Sequence, residues 1–133
     1  ENWTYFPIVS AMAGTLGNAI HASNALTAIY LATGQDTACV AENSVGHFTV
    51  EKVDDGITWR LTLPSMTVGT VGGGTRLNQQ QQNLQLLGCD SSEHSSRKLA
   101  EIIASAALGL ERSLGSAIMS HTWTSAHMKY GRK

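Results

Sequence analysis

Residues 48–63 read Phe-Thr-Val-Glu-Lys-Val-Asp-Asp-Gly-Ile-Thr-Trp-Arg-Leu-Thr-Leu. Phe48 and Val50 alternate with polar neighbours, and Ile57, Trp59, Leu61 and Leu63 alternate strictly with Thr58, Arg60 and Thr62. Asp54-Asp55-Gly56 between the two runs is turn chemistry, so the segment is a β-hairpin. Helical patterns lie on both sides of it. Upstream, Leu16, Ile20, Asn24, Thr27 and Leu31 recur at i, i+4, i+8, i+11 and i+15, a helical stripe over Leu16 to Ala32 with the stop signal Thr33-Gly34 and small Gly and Ala residues alongside. Downstream of Pro64, Gly69-Thr70-Val71-Gly72-Gly73-Gly74-Thr75 is a glycine-rich turn, too permissive for a strand interior. Asn78 to Leu87 forms a short helix closed by Gly88. From Arg97 onward, Leu99, Ile103, Leu110, Leu114 and Ile118 mark a helix of about 24 residues, roughly 36 Å long. Ile102, Ala106, Leu108 and Met119 lie off that stripe, so this helix is apolar on more than one side and expected to be central. The fold class is therefore mixed α and β (α+β): helix, β-hairpin, glycine-rich turn, short helix and long central apolar helix.

The 133 residues make one modest domain or a piece of a larger one, and 42% hydrophobic content excludes disorder. Nine basic and ten acidic residues give a net charge of −1, which offers no electrostatic attraction to nucleic acid or an anionic membrane. Charged residues are only 14% of the chain, against about 25% in an ordinary domain. Residues 2–35 contain no charge at all, and Ser113 to Met128 is a second charge-free run. A free-standing domain this small has a high surface-to-volume ratio and carries charge throughout, so surface of this chain is expected to be buried against something else. A membrane span does not explain the first run, because Pro7, Ser10, Asn18, His21, Ser23 and Asn24 interrupt it. The start has neither an initiator Met nor the charged and apolar regions of a signal peptide, as expected for the middle of a longer protein. Cys39 and Cys89 form no CxxC pair and read as free thiols of a reducing, cytoplasmic compartment.

Few residues are placed to carry chemistry. Asp36 is the first charge after the long uncharged run and follows a helix C-terminus, where burial and the helix dipole both disfavour a carboxylate unless a cation compensates; it is either a functional group or a solvated turn residue. His127 ends the second charge-free run, with Lys129, Arg132 and Lys133 behind it, and is either a general acid or a partly buried surface histidine. His21 and Asn24, three apart, share the helix face of the apolar stripe and either satisfy each other and nearby backbone or face a ligand. His47, His94 and His121 match no metal spacing, so no metal site is expected. The glycine string has Walker A spacing between Gly69 and Gly74, but Thr75 stands where the lysine belongs, and Leu77 breaks a GxGxxG reading. What remains is three adjacent glycines flanked by Thr70 and Thr75, able to bring N–H groups and hydroxyls close to a ligand.

Ser10-Ala11-Met12-Ala13-Gly14, Asn24 with Thr27-Ala28-Ile29-Tyr30, Gly34-Gln35-Asp36, Leu63-Pro64-Ser65, the string Gly69 to Thr75 and His127-Met128 occur in this order. Together they resemble the catalytic domain of 3-hydroxy-3-methylglutaryl-coenzyme A reductase, with residues 10–133 matching the C-terminal portion of its large, substrate-binding domain and residues 1–9 matching poorly. The glycine string is similar to that of the NADPH-dependent class found in eukaryotes and archaea. The resemblance implies reduction of the thioester to mevalonate and coenzyme A with two NADPH, through a hemithioacetal and an aldehyde. It implies that Asp36 positions an essential lysine and that His127 protonates the departing thiolate. It further implies that Asn24, with His21 beside it, faces substrate, and that Gly69, Thr70, Val71, Gly72, Gly73, Gly74 and Thr75 contact NADPH. A homo-oligomer with active sites between subunits follows from the same resemblance, in a cytoplasmic enzyme whose parent chain is anchored to the endoplasmic reticulum in some eukaryotes.

The family's catalytic Glu, catalytic Lys and Asp-Ala-Met-Gly-Met-Asn-Met cofactor motif lie upstream of the matched region and do not occur here. Ala126 replaces the Ser usual before the histidine, with Ser125 as its nearest substitute, and Lys133 stands where a regulatory phosphorylatable Ser would be. Without the lysine this chain alone is expected to be inactive. Two alternatives remain at this stage: a non-catalytic relic or interaction module with the same fold, and an unrelated nucleotide-binding domain that uses the glycine turn.

Overall fold

The computed structural model describes residues 6–90 and 93–131; residues 1–5 of the poorly matching N-terminal segment, Ser91-Ser92, and the Arg132-Lys133 end lie outside the described residues. Among the described residues, six helices and one hairpin follow in the order α1 (Phe6–Met12), α2 (Ala22–Thr33), α3 (Val40–Asn43), β1 (His47–Val53), β2 (Gly56–Thr62), α4 (Asn78–Leu86), α5 (Ser95–Met119) and α6 (Trp123–Tyr130). Single 3-10 turns at Thr37–Cys39 and Gly73–Arg76 lead into α3 and towards α4. The architecture is α+β, a fragment of mixed helices around a two-stranded antiparallel sheet with one long apolar helix.

The hairpin pairs Val53 with Gly56 across the two-residue turn Asp54-Asp55, and that register sets Phe48 opposite Leu61 and Val50 opposite Trp59. The Phe48 and Trp59 rings meet with centroids 5.7 Å apart. Asn18 fixes the entry to β1 by pairing with both backbone groups of Phe48, its Nδ2 donating to the carbonyl at 2.8 Å and its Oδ1 accepting from the N–H at 2.7 Å. The sheet lies against α5, and α5 lies against α2, which also carries α4. Ala22, Ala25, Leu26 and Tyr30 of α2, Leu84 of α4, Cys89, and Leu99, Ile103 and Ala107 of α5 form the shared core.

Two helical expectations need correction. The helix expected from Leu16 is α2, which starts at Ala22 because Gly14 and Gly17 both take positive φ and lead the chain through a turn. Its buried face is Ala22, Ala25, Leu26, Tyr30 and Thr33. The expected stripe of Leu16, Ile20, Asn24, Thr27 and Leu31 faces outward, with Leu16 84% exposed. The small alanines, not the larger residues, allow α5 to approach closely. In α5 the buried row is Ser95, Leu99, Ile103, Ala107, Glu111 and Gly115, a strict four-residue ridge inclined to the helix axis. Leu110 and Leu114 are half-buried beside it, and Ile118 is exposed. By length and composition α5 could also cross a bilayer, a property shared with core helices of soluble domains.

Candidate functional site

The Gly-Gln-Asp motif and the glycine string, 34 residues apart in sequence, interlock. Gly34 ends α2 at φ 71°, and both its N–H and that of Gln35 return to the Tyr30 carbonyl. A Cβ on Gly34 would collide with the Gly74 carbonyl group and lie 2.7 Å from the Thr75 nitrogen, while a Cβ on Gly74 would lie 2.8 Å from the Gly34 oxygen. Gln35 then grips the other end of the string: its Nε2 donates to the Gly69 carbonyl at 2.8 Å and its Oε1 accepts from the Gly69 N–H at 2.8 Å. The string is thus held at Gly69 and Gly74, and the segment between them protrudes, with Val71 86% exposed. The Thr75 hydroxyl donates to the Gly72 carbonyl and so shapes the turn. Thr70, Gly72, Arg76 and Asp90 border a cavity of about 400 Å³ between the string and α4.

Beneath the joint lies a buried polar network. The Tyr30 hydroxyl donates to the Thr67 carbonyl at 3.1 Å and accepts from Asn43 Nδ2 at 2.7 Å, and Asn43 Nδ2 also reaches the Thr67 carbonyl at 3.2 Å. These bonds tie α2 and α3 to the irregular segment between β2 and the glycine string. Burial pushes the Tyr30 hydroxyl pKa up, and the Asn43 bond opposes that.

Asp36 is exposed, in a turn open to solvent. It follows α2, but its Oδ1 accepts from the Ala38 N–H at 3.0 Å and caps the turn Thr37–Cys39, so the carboxylate also sits at the donor end of the next helical turn. Partial burial, then the Asp36 and Glu42 carboxylates, push the nearby Cys39 thiol up, away from nucleophilic use.

His21 and Asn24 open α2 on its solvent side, not on the buried face, and Asn24 Nδ2 lies 3.4 Å from His21 Nδ1. Both the His21 and Ala22 N–H groups donate to Glu111, a buried carboxylate that sequence reading passed over. Its position was legible: Leu99, Ile103, Ala107 and Glu111 are four apart, so the carboxylate lies on the buried ridge.

His127 lies on α6, which packs on α5 and is exposed throughout. Its Nδ1 is 2.8 Å from the Trp123 carbonyl, which only accepts, so Nδ1 carries the proton and Nε2 faces solvent. The imidazole leans on the Trp123 ring at 4.2 Å. Among the described residues no hydrogen bond joins His127 to Asp36, Asn24 or the glycine string. No group of three or more His, Cys, Asp or Glu side chains able to hold a metal occurs among the described residues.

The sequence profile described as hydroxymethylglutaryl-coenzyme A reductase matches residues 1–132, including the segment that the motifs alone matched poorly. The chain belongs to the hydroxymethylglutaryl-coenzyme A reductase family. It is 42% identical over 125 residues to the 3-hydroxy-3-methylglutaryl-coenzyme A reductase of Methanocaldococcus jannaschii, an alignment covering 94% of this chain and 31% of the relative. It is 44% identical over 129 residues to the Halobacterium salinarum reductase, covering 94% and 32%. Against reductase 2 of Gossypium hirsutum it is 48% identical over 132 residues, covering 92% and 21%. The chain therefore spans between about a fifth and a third of the length of these reductases.

Proposed function

We propose that this chain is the C-terminal part of the large, substrate-binding domain of an enzyme that reduces 3-hydroxy-3-methylglutaryl-coenzyme A to mevalonate and coenzyme A with two NADPH, a step of isoprenoid biosynthesis. The observation that carries the reading is the joint of Gly34 and Gln35 with Gly74 and Gly69, which supports Asp36 and the glycine string from one backbone scaffold. The string suits a phosphate-bearing cofactor: a Cβ on Gly69, Gly72 or Gly73 would meet nothing within 4 Å, so the backbone is open to close approach, and Arg76 lines the adjoining cavity. When bound, NADPH supplies the hydride for each reduction.

The chain's own groups divide the remaining work. Asp36 holds one oxygen on the Ala38 N–H and offers its remaining lone pairs to a lysine ammonium from another part of the enzyme, orienting it towards the substrate carbonyl oxygen. Asn24 and His21 offer polar contacts to the 3-hydroxy-3-methylglutaryl group from the open face of α2. His127 keeps Nδ1–H on the Trp123 carbonyl and, when protonated, delivers the Nε2 proton to the coenzyme A thiolate as the C–S bond breaks. Free thiols at Cys39 and Cys89 suit a reducing, cytoplasmic setting, and the exposed apolar residues suit an enzyme with active sites between subunits.

Asp36→Asn in the polypeptide that carries this chain tests the assignment. Steady-state NADPH oxidation is expected to fall on the order of a hundredfold or more in kcat. A variant within about threefold of wild type would overturn it. A reading frame without the upstream Glu and Lys motifs would instead make this chain a non-catalytic relic of the fold.

A further inference from the structure

Glu111 is 2% exposed, yet no cationic side chain forms an ion pair with it among the described residues. Its Oε1 accepts from the His21 N–H at 2.6 Å and from the Ala22 N–H at 3.0 Å. These are orphan donors at the start of α2, a 12-residue helix with no acidic residue in its first turn and no side-chain cap from His21 itself. A carboxylate is costly to bury unless its charge is matched, and here the positive end of α2 and two aligned N–H groups provide the match. The capping group thus comes from α5, 90 residues away in sequence. The same His21 carries the next link: its carbonyl accepts from the Asn24 N–H at 3.1 Å and the Ala25 N–H at 3.3 Å, and its ring reaches Asn24 Nδ2. Carboxylate, His21 and Asn24 are therefore one connected turn, rigid where it meets α5 and open where it meets solvent.

We infer that Glu111 is a positioning residue that holds the His21–Asn24 turn in the geometry needed to bind the 3-hydroxy-3-methylglutaryl group. This rests on the reductase reading for the ligand, but the anchoring itself does not. The geometry explains why an acidic residue occupies a ridge otherwise built of Ser95, Leu99, Ile103, Ala107 and Gly115. A hydrophobic residue there would pack as well against alanines but would leave two N–H groups without an acceptor.

Glu111→Ala and Glu111→Gln, made in the polypeptide that carries this chain, separate positioning from support of the fold. In Glu111→Ala the KM for 3-hydroxy-3-methylglutaryl-coenzyme A is expected to rise about tenfold, with kcat per folded site within about threefold and the KM for NADPH within about twofold. Glu111→Gln, which keeps an oxygen acceptor at the same reach, is expected to restore KM to within about threefold. A loss of kcat through less folded enzyme, with both KM values unchanged, overturns the inference. Amide exchange and side-chain NMR on the polypeptide that carries this chain supply a readout independent of turnover. Exchange at His21 and Ala22 is expected to accelerate about tenfold or more, with a shift of the Asn24 side-chain amide, while Tyr30 is unaffected. Unchanged exchange and an unchanged Asn24 signal overturn the anchoring. Should Glu111→Ala not fold, Glu111→Asp, one methylene shorter, gives the same comparison. Failure of the unsubstituted polypeptide to turn over the thioester would sink the reductase reading, and the exchange data then decide the anchoring alone.

Discussion

Gly34→Ala and Gly73→Ala form a matched pair, because both glycines have left-handed φ, 71° and 51°, but only one is enclosed. In the left-handed region an alanine costs about 1–2 kcal/mol more than glycine, and that charge applies to both sites. At Gly73 nothing lies within 4 Å of the new methyl, so the backbone term is the whole effect. At Gly34 the methyl would overlap the Gly74 carbonyl group and crowd the Thr75 nitrogen at 2.7 Å, and these are backbone atoms with no rotamer to change. Overpacking of that kind adds about 1–3 kcal/mol. Gly34→Ala should therefore destabilise by about 2–5 kcal/mol and Gly73→Ala by about 1–2 kcal/mol. With an unfolding entropy of about 2.1 cal/mol/K per residue, 1 kcal/mol corresponds to about 4 °C in a chain of this length. Thermal and urea unfolding measure both variants, and m-values equal to wild type confirm that the native state is what changed. Equal losses at the two sites would refute the interlock, since the difference between them is the only quantity that reports contact between the Gly-Gln-Asp turn and the glycine string.

If His127 protonates the departing thiolate, His127→Gln will impair reduction of the thioester far more than reduction of free mevaldehyde, which has no thiolate to expel. Equal losses on both substrates would assign His127 to substrate positioning. Made alone, the 133-residue chain should not oxidise NADPH and should associate with itself, because Met12, Leu16, Val71 and Leu86 are each more than 80% exposed. Light scattering that finds a stable monomer would contradict the argument from its charge deficit.

The hairpin was legible because strict alternation admits one register once Asp54-Asp55 is the turn, and α5 was legible because its apolar length exceeds any strand. The orientation of α2 was not. The expected stripe of Leu16, Ile20 and Leu31 is one face, of which only Leu31 lies within α2, and the other is Ala22, Ala25, Leu26 and Tyr30. The second is buried here because close approach of α5 needs small side chains, a tertiary demand that a helical period does not record. The site divides along the same line. Asp36, His127 and the glycine string are proposed as site residues from the order of their motifs, which is covalent information. Their supports, Gln35 on Gly69, Asn43 on Tyr30 and Glu111 on His21, are contacts between segments from 13 to 90 residues apart, and each joins a side chain to a partner that sequence spacing cannot supply. The supports explain why an exposed aspartate can still hold a defined position: its neighbours on the chain, Gly34 and Gln35, are the residues locked to the glycine string. Rigidity at Asp36 thus comes from the backbone on which it is carried, and its carboxylate stays exposed, open to the lysine of the proposed reductase mechanism.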